Sequence, residues 1–136
     1  MGADLCIDPM TQDVSAVLEE NNIGRISTVI ECVGKIATIE QAIAIAGQKS
    51  VVMMFGLTAP EEELSIKPFQ LFKKEIVLKA SYINPYTQSR ALKLIDSGRI
   101  DVSSIVAAVE PLEMLPQILD SAALRAKGKV IIHPNA

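Results

Sequence analysis

Short runs rich in β-branched residues alternate along this chain with longer segments whose apolar residues recur at helical spacing, and this alternation restricts the fold more than any other feature. Strands separated by helical segments of a dozen or more residues pair in parallel, because a parallel crossover needs that length. An α/β fold follows. Leu5 to Ile7 reads as a first strand, stopped at Pro9, which has no N–H to give to a ladder. From Thr11 to about Asn22, Val14, Val17 and Leu18 form one helical stripe that ends before Gly24. Ser27 to Cys32 is the second strand. Gly34 opens a second helix, with Ile36, Ile39, Ile43 and Ala46 on one face until Gly47. Val51 to Phe55 is apolar at every position, as expected for a strand covered on both faces.

The acidic run Glu61 to Glu63 reads as a solvated turn, and a short extended piece follows at Leu64 to Ile66. Pro68 begins a helical turn through Lys74, and Ile76 to Ser81 is a further strand. Asn84-Pro85 pairs an N-cap residue with proline at the first helical position and starts a helix carrying Ala91, Leu92 and Ile95, closed by Gly98. Ile105 to Val109 is extended. Pro116 must lie in the first turn of the next helix, whose start falls at Leu112 to Met114 and whose stripe is Leu115, Ile118, Leu119 and Ala122. Gly128 to His133 is the last strand, stopped by Pro134.

Of the 136 residues 49% are apolar, enough for a folded body. Thirteen basic against sixteen acidic residues give a net charge of -3 with no Lys/Arg block, which argues against a nucleic-acid partner. No apolar run is longer than Val51 to Phe55, far short of the roughly 18 residues of a membrane span, and no export pattern opens the chain. A soluble, cytoplasmic protein with no membrane partner is expected. Both cysteines sit in strand-like runs, DLCID and VIECVG, and are expected to be buried, reduced thiols. Two Cys and one His at wide intervals make no zinc ligand set, and His133, at the end of the terminal strand, supports no catalytic triad or dyad.

The ordered segments GADLCIDP (2–9), STVIECVG (27–34), AIAG (44–47), SVVMMFGL (50–57), KKEIVLKASYINPYTQSRALKLIDSGRID (73–101), EPLEMLP (110–116) and GKVIIHP (128–134) span essentially the whole chain. Together they resemble the C-terminal part of medium-chain, zinc-dependent alcohol dehydrogenases, and within them the sorbitol, threonine and polyol branch. The resemblance implies a partial Rossmann-type parallel sheet with flanking helices and a C-terminal strand-helix-strand segment. It divides the chain into residues 1–83, the second half of the NAD-binding domain, and 84–136, which in the family packs back toward the catalytic domain. The implied parent reaction is hydride transfer between an alcohol or polyol and NAD(P) with zinc assistance. The seven glycines never fall two apart, so the G-x-G-x-x-G phosphate fingerprint is not in this chain. By the resemblance the chain begins at the third strand of the nucleotide domain, and the fingerprint and zinc ligands lie upstream. NAD(P) and zinc then belong to the full-length parent, and this chain alone is inactive and binds neither tightly.

Several cofactor contacts carry over by the resemblance. Cys32, Val33 and Gly34, with Thr38 beyond, match the loop on the adenosine side, although a plain strand-to-helix turn reads equally well there. Phe55, Gly56 and Leu57 match the loop beside the nicotinamide. Ser81, Tyr82, Ile83 and Asn84 match the stretch whose backbone meets the carboxamide. Lys129 matches a basic position near the pyrophosphate, and could equally form a solvated pair with Lys127. No catalytic residue and no metal ligand is assigned.

In the family strand order 3-2-1-4-5-6, right-handed crossovers divide the helices between the two faces, and this chain keeps mainly one set. One face of the strands carrying Val29, Val51, Val52, Met53, Met54 and Phe55 is then expected to be bare, an exposed apolar area that favours self-association. Alternatively the helix from Pro85 swings over to cover it. The edge strand 76–81, through which the family dimerises, offers a second route to a homo-oligomer. Leu5 to Ile7, without its family neighbours, either pairs with Ser27 to Cys32 or is poorly ordered. The rival functional reading is a non-catalytic, self-associating α/β module. A standalone nucleotide-binding or phosphotransfer module ranks lower, because no glycine-rich phosphate loop follows any strand.

Overall fold

The computed structural model describes residues 2–83 and 85–135. The chain forms two compact units, one spanning Gly2–Pro85 and the other running from Tyr86 to the end. In the first unit the order is α1 (Val14–Glu20), β1 (Thr28–Glu31), α2 (Ile36–Ile45), β2 (Val51–Met54), α3 (Pro68–Lys74) and β3 (Val77–Ala80). The three strands make one sheet in the order β1-β2-β3, parallel throughout. The ladders align Val29 with Val52 and Val52 with Leu78, and these three residues face the same way. Against that side packs α2, whose Ala42, with Ala46 at its end, makes a core with Val52, flanked by Val29, Ile43, Ile76 and Leu78. Pro68 opens α3 with its φ already helical, and Glu75 closes it in the left-handed region at φ 53°. Lys74, in the last turn of α3, donates to the carbonyls of Ala44 (3.1 Å) and Ala46 (2.9 Å), placing a cation on the unsatisfied end of α2.

Ser50, directly before β2, is fully buried, and its hydroxyl has no hydrogen-bond partner. An unpaired buried hydroxyl opposes folding by about 1–3 kcal/mol, so Ser50→Ala is expected to leave stability unchanged or raise it, by up to about 1 kcal/mol. Urea unfolding of the two proteins checks this; a clear loss in the variant would mean that the hydroxyl finds a partner.

The opposite side of the sheet, formed by Thr28, Ile30, Val51, Met53, Val77 and Lys79, is less well covered: Ile30 is 62% and Val77 47% exposed, and Val51 and Met53 are half-buried. Of the apolar residues on these strands, Val51 and Met53 therefore lie on the less covered face. Val29, Val52 and Met54 belong to the α2 side, because side chains alternate along a strand, and Ile30 and Val77 join the uncovered one. Phe55 lies just beyond β2.

Two expectations are corrected. Leu5 to Ile7 is not a strand, and among the described residues β1 makes its ladder with β2, so this short piece joins no sheet. Neither cysteine is buried: Cys6 lies on that unpaired piece, Cys32 falls one residue past the end of β1, and both are exposed and free.

The second unit contains α4 (Gln88–Asp96), β4 (Val106–Pro111), α5 (Leu115–Asp120), α6 (Ala122–Ala126) and β5 (Lys129–His133), with β4 and β5 parallel. Asn84, expected to cap the first of these helices, lies outside the described residues; α4 starts at Gln88 after Thr87 and buries none of its residues. The helix expected through Ala122 is broken at Ser121, whose backbone is extended and whose hydroxyl accepts from the Leu124 N–H at 3.3 Å, capping a new short helix. Ile118 alone of the expected stripe is buried, and Leu119 and Ala122 are exposed. Among the described residues no helix is long and apolar enough to cross a membrane.

Candidate functional site

Because β1, β2 and β3 are parallel and in register, Glu31, Met54 and Ala80 end their strands on one edge, and the three following loops leave from that edge. In α/β sheets ligands bind outside the carboxyl ends of the strands. Backbone bonds draw the loops together. The N–H groups of Phe55 and Gly56 both donate to the Glu31 carbonyl at 2.9 Å, and the Ser81 N–H donates to the Met54 carbonyl at 3.1 Å.

Two glycines lock the first loop to the second. Gly34 has φ +78°, and a Cβ there would run into the Leu57 backbone, with the carbonyl carbon and the nitrogen each at 2.7 Å. A Cβ on Gly56 would collide with the Gly34 nitrogen and lie 2.7 Å from the Gly34 Cα and 2.8 Å from Glu31 Oε2. Backbone therefore lies on backbone at this point, where no side chain fits.

Glu31 organises the first turn. Its Oε1 accepts from the Val33 N–H (2.7 Å), the Gly34 N–H (2.9 Å) and the Thr38 hydroxyl (2.8 Å), and Oε2 lies 3.2 Å from the Gly34 nitrogen. The Thr38 hydroxyl has the Lys35 carbonyl, also at 2.8 Å, as an alternative acceptor. Burial pushes the Glu31 carboxyl up, and the Gly34 N–H, the Thr38 hydroxyl and the Val33 N–H together outweigh it, holding the group below the ordinary glutamate range.

Of the residues singled out by sequence, Cys32, Val33, Gly34, Phe55, Gly56, Leu57, Ser81, Tyr82 and Ile83 stand on this one edge. Val33, Phe55, Leu57, Tyr82 and Ile83 are exposed there, Leu57 at 80%. Thr38, in the first turn of α2, turns its hydroxyl toward Glu31. Lys129 opens β5 in the other unit, and Asn84 lies outside the described residues. Sequence reasoning missed Glu31. The available signal was an acid ending an apolar strand, with glycine three residues on and threonine seven on.

With the geometry in hand, comparison with known proteins gives the class. Residues 1–97 match the family model described as zinc-binding dehydrogenase, so the chain belongs to that family. It is 25% identical over 136 residues to D-arabinitol dehydrogenase 1 of Uromyces fabae, covering 98% of this chain and 39% of the relative. It is 29% identical over 110 residues to 2-dehydro-3-deoxy-L-galactonate 5-dehydrogenase of Pseudoalteromonas atlantica, covering 78% of this chain and 31% of the relative. Among solved structures, a zinc-binding dehydrogenase of Sinorhizobium meliloti 1021 bound to NADP superposes with a TM-score of 0.83 at 27% identity, over 98% of this chain and 40% of the other. The fold is accordingly a Rossmann-like α/β arrangement, and the chain spans only 39% and 31% of the length of these two relatives.

The family implies zinc and a nicotinamide dinucleotide. Zinc does not fit these residues: among those described, no three of His, Cys, Asp and Glu come together as a ligand set. A dinucleotide fits in part. The exposed apolar groups of Val33, Phe55 and Leu57 suit the flat rings of such a molecule.

Proposed function

We propose that this chain forms one wall of the cofactor site in an NAD(P)-linked, zinc-assisted alcohol or polyol dehydrogenase. The observation that carries the reading is the gathering of three loops, at 32–34, 55–57 and 81–83, on the carboxyl edge of a parallel sheet in a chain of this family. In this reading Cys32, Val33 and Gly34 pass the adenosine side, Phe55, Gly56 and Leu57 lie beside the nicotinamide, and the backbone of 81–83 meets its carboxamide. The cofactor, when bound, supplies the hydride acceptor. The chain's own residues bind and orient it.

Titration of the isotope-labelled chain with NADH, followed residue by residue by NMR, tests the reading. Millimolar cofactor is expected to move the amides of Val33, Phe55 to Leu57 and Ser81 to Ile83 while leaving Lys49 and Ser50, at the other end of the sheet, in place. A silent carboxyl edge would overturn it. Light scattering belongs beside this measurement, because we further propose that the apolar face around Ile30 and Val77, or the free edge of β3, joins two copies of the chain. Oligomers that ignore NADH would favour the rival reading, a self-associating module without catalysis.

A further inference from the structure

We infer that Glu31 is a specificity-determining residue of this edge: its carboxylate fills the donor nest made by the Val33 and Gly34 amides and the Thr38 hydroxyl, so that a ligand meets the β1–α2 turn with an uncharged portion. The inference rests on reading the edge as a ligand crevice, but its test needs no dinucleotide.

Two consecutive backbone amides and a hydroxyl converging on one point beside the start of a ten-residue helix are the donor set that proteins use to hold a phosphate or carboxylate group. Here that point is held by Glu31 Oε1, with all three donors within 2.9 Å. The carboxylate comes from the end of β1, is 5% exposed, and is closed in on its other side by Gly56, which has no room even for a Cβ. The anion site is thus complete without a ligand. A phosphate approaching the same amides finds its donors taken and a like charge behind them, whereas a neutral ring loses nothing by lying against the exposed Val33 and Leu57. Thr38 belongs to the same device: with its hydroxyl turned to Glu31, it acts on a ligand through the carboxylate.

The probe is inorganic phosphate, titrated into the full chain while the amide signals of Val33 and Gly34 are followed. In the natural chain these signals are expected to stay in place through millimolar phosphate. Glu31→Ala is expected to make them phosphate-responsive, with apparent affinity raised by about tenfold or more. Glu31→Gln, which keeps the shape and one acceptor oxygen but not the charge, should fall between the two and serves if the alanine variant does not fold. A purely structural role for Glu31 predicts lost order and no gain of binding. Phosphate shifts at Val33 and Gly34 in the natural chain as large as those in the variants would overturn the inference, as would folded variants whose loop amides ignore phosphate. A chain that fails to respond to NADH yet shows this pattern would overturn the dehydrogenase reading and leave Glu31 in its role.

Discussion

Gly34→Ala is expected to lose about 3 kcal/mol of stability, the largest effect of any single-methyl addition in the first unit. Two terms contribute. The residue sits at φ +78°, where an L side chain costs about 1–2 kcal/mol, and its new Cβ meets the Leu57 backbone, which cannot rotate aside as a side chain would. Gly56→Ala is expected to lose about 2 kcal/mol through the same contact seen from the other loop, with no φ penalty. The double variant should lose less than the sum, because the first methyl already parts the loops that the second would push. Urea unfolding read from amide signals of β1 and β2 measures all three. A loss below about 1 kcal/mol for Gly34→Ala would show that the loops are not in contact.

Glu31→Ala is expected to lose about 2–3 kcal/mol, since it leaves the Val33 and Gly34 amides without their acceptor and removes a charge-assisted cluster. The pH dependence follows from the same bonds. The folded carboxyl titrates below its unfolded value, so its contribution is fully present above the ordinary glutamate pKa of about 4.3 and disappears as the pH falls through the lower folded value. The natural chain should therefore lose stability more steeply than Glu31→Ala on acidification below about pH 4, and the two should run parallel above about pH 6. Unfolding midpoints recorded at intervals across that range decide the point, and identical acid limbs would remove Glu31 from the account.

Where local chemistry dictates structure, the sequence was legible. Pro68 to Lys74 is helical over the limits read from it, because proline presets the first turn, and the apolar spacing of α2 and the run at Val51 were equally clear. Whatever depends on a distant neighbour was not. Cys32 has the look of a buried strand residue, and its exposure follows from β1 ending one residue earlier. The break at Ser121 turns on a competition between capping and helix continuation that helical periodicity does not register. In the site, the loop residues came from a family resemblance, whereas the contact of Gly34 with Gly56 depends on the register that sets Glu31 beside Met54. Glu31 went unnoticed because an acid at a strand end is ordinary until its amide partners are known.

The parallel ladders also bear on the order in which the chain folds. Thr28 pairs with Val51 and Val51 with Val77, closures of 23 and 26 residues, so neither ladder is favoured by proximity along the chain. What separates them is the intervening helix: α2 brings Ile39 and Ala42 into the interior, and α3 brings no buried residue. The β1–α2–β2 crossover is therefore the closure repaid by desolvated surface, and it is the natural nucleus, with β3 adding to a template already made.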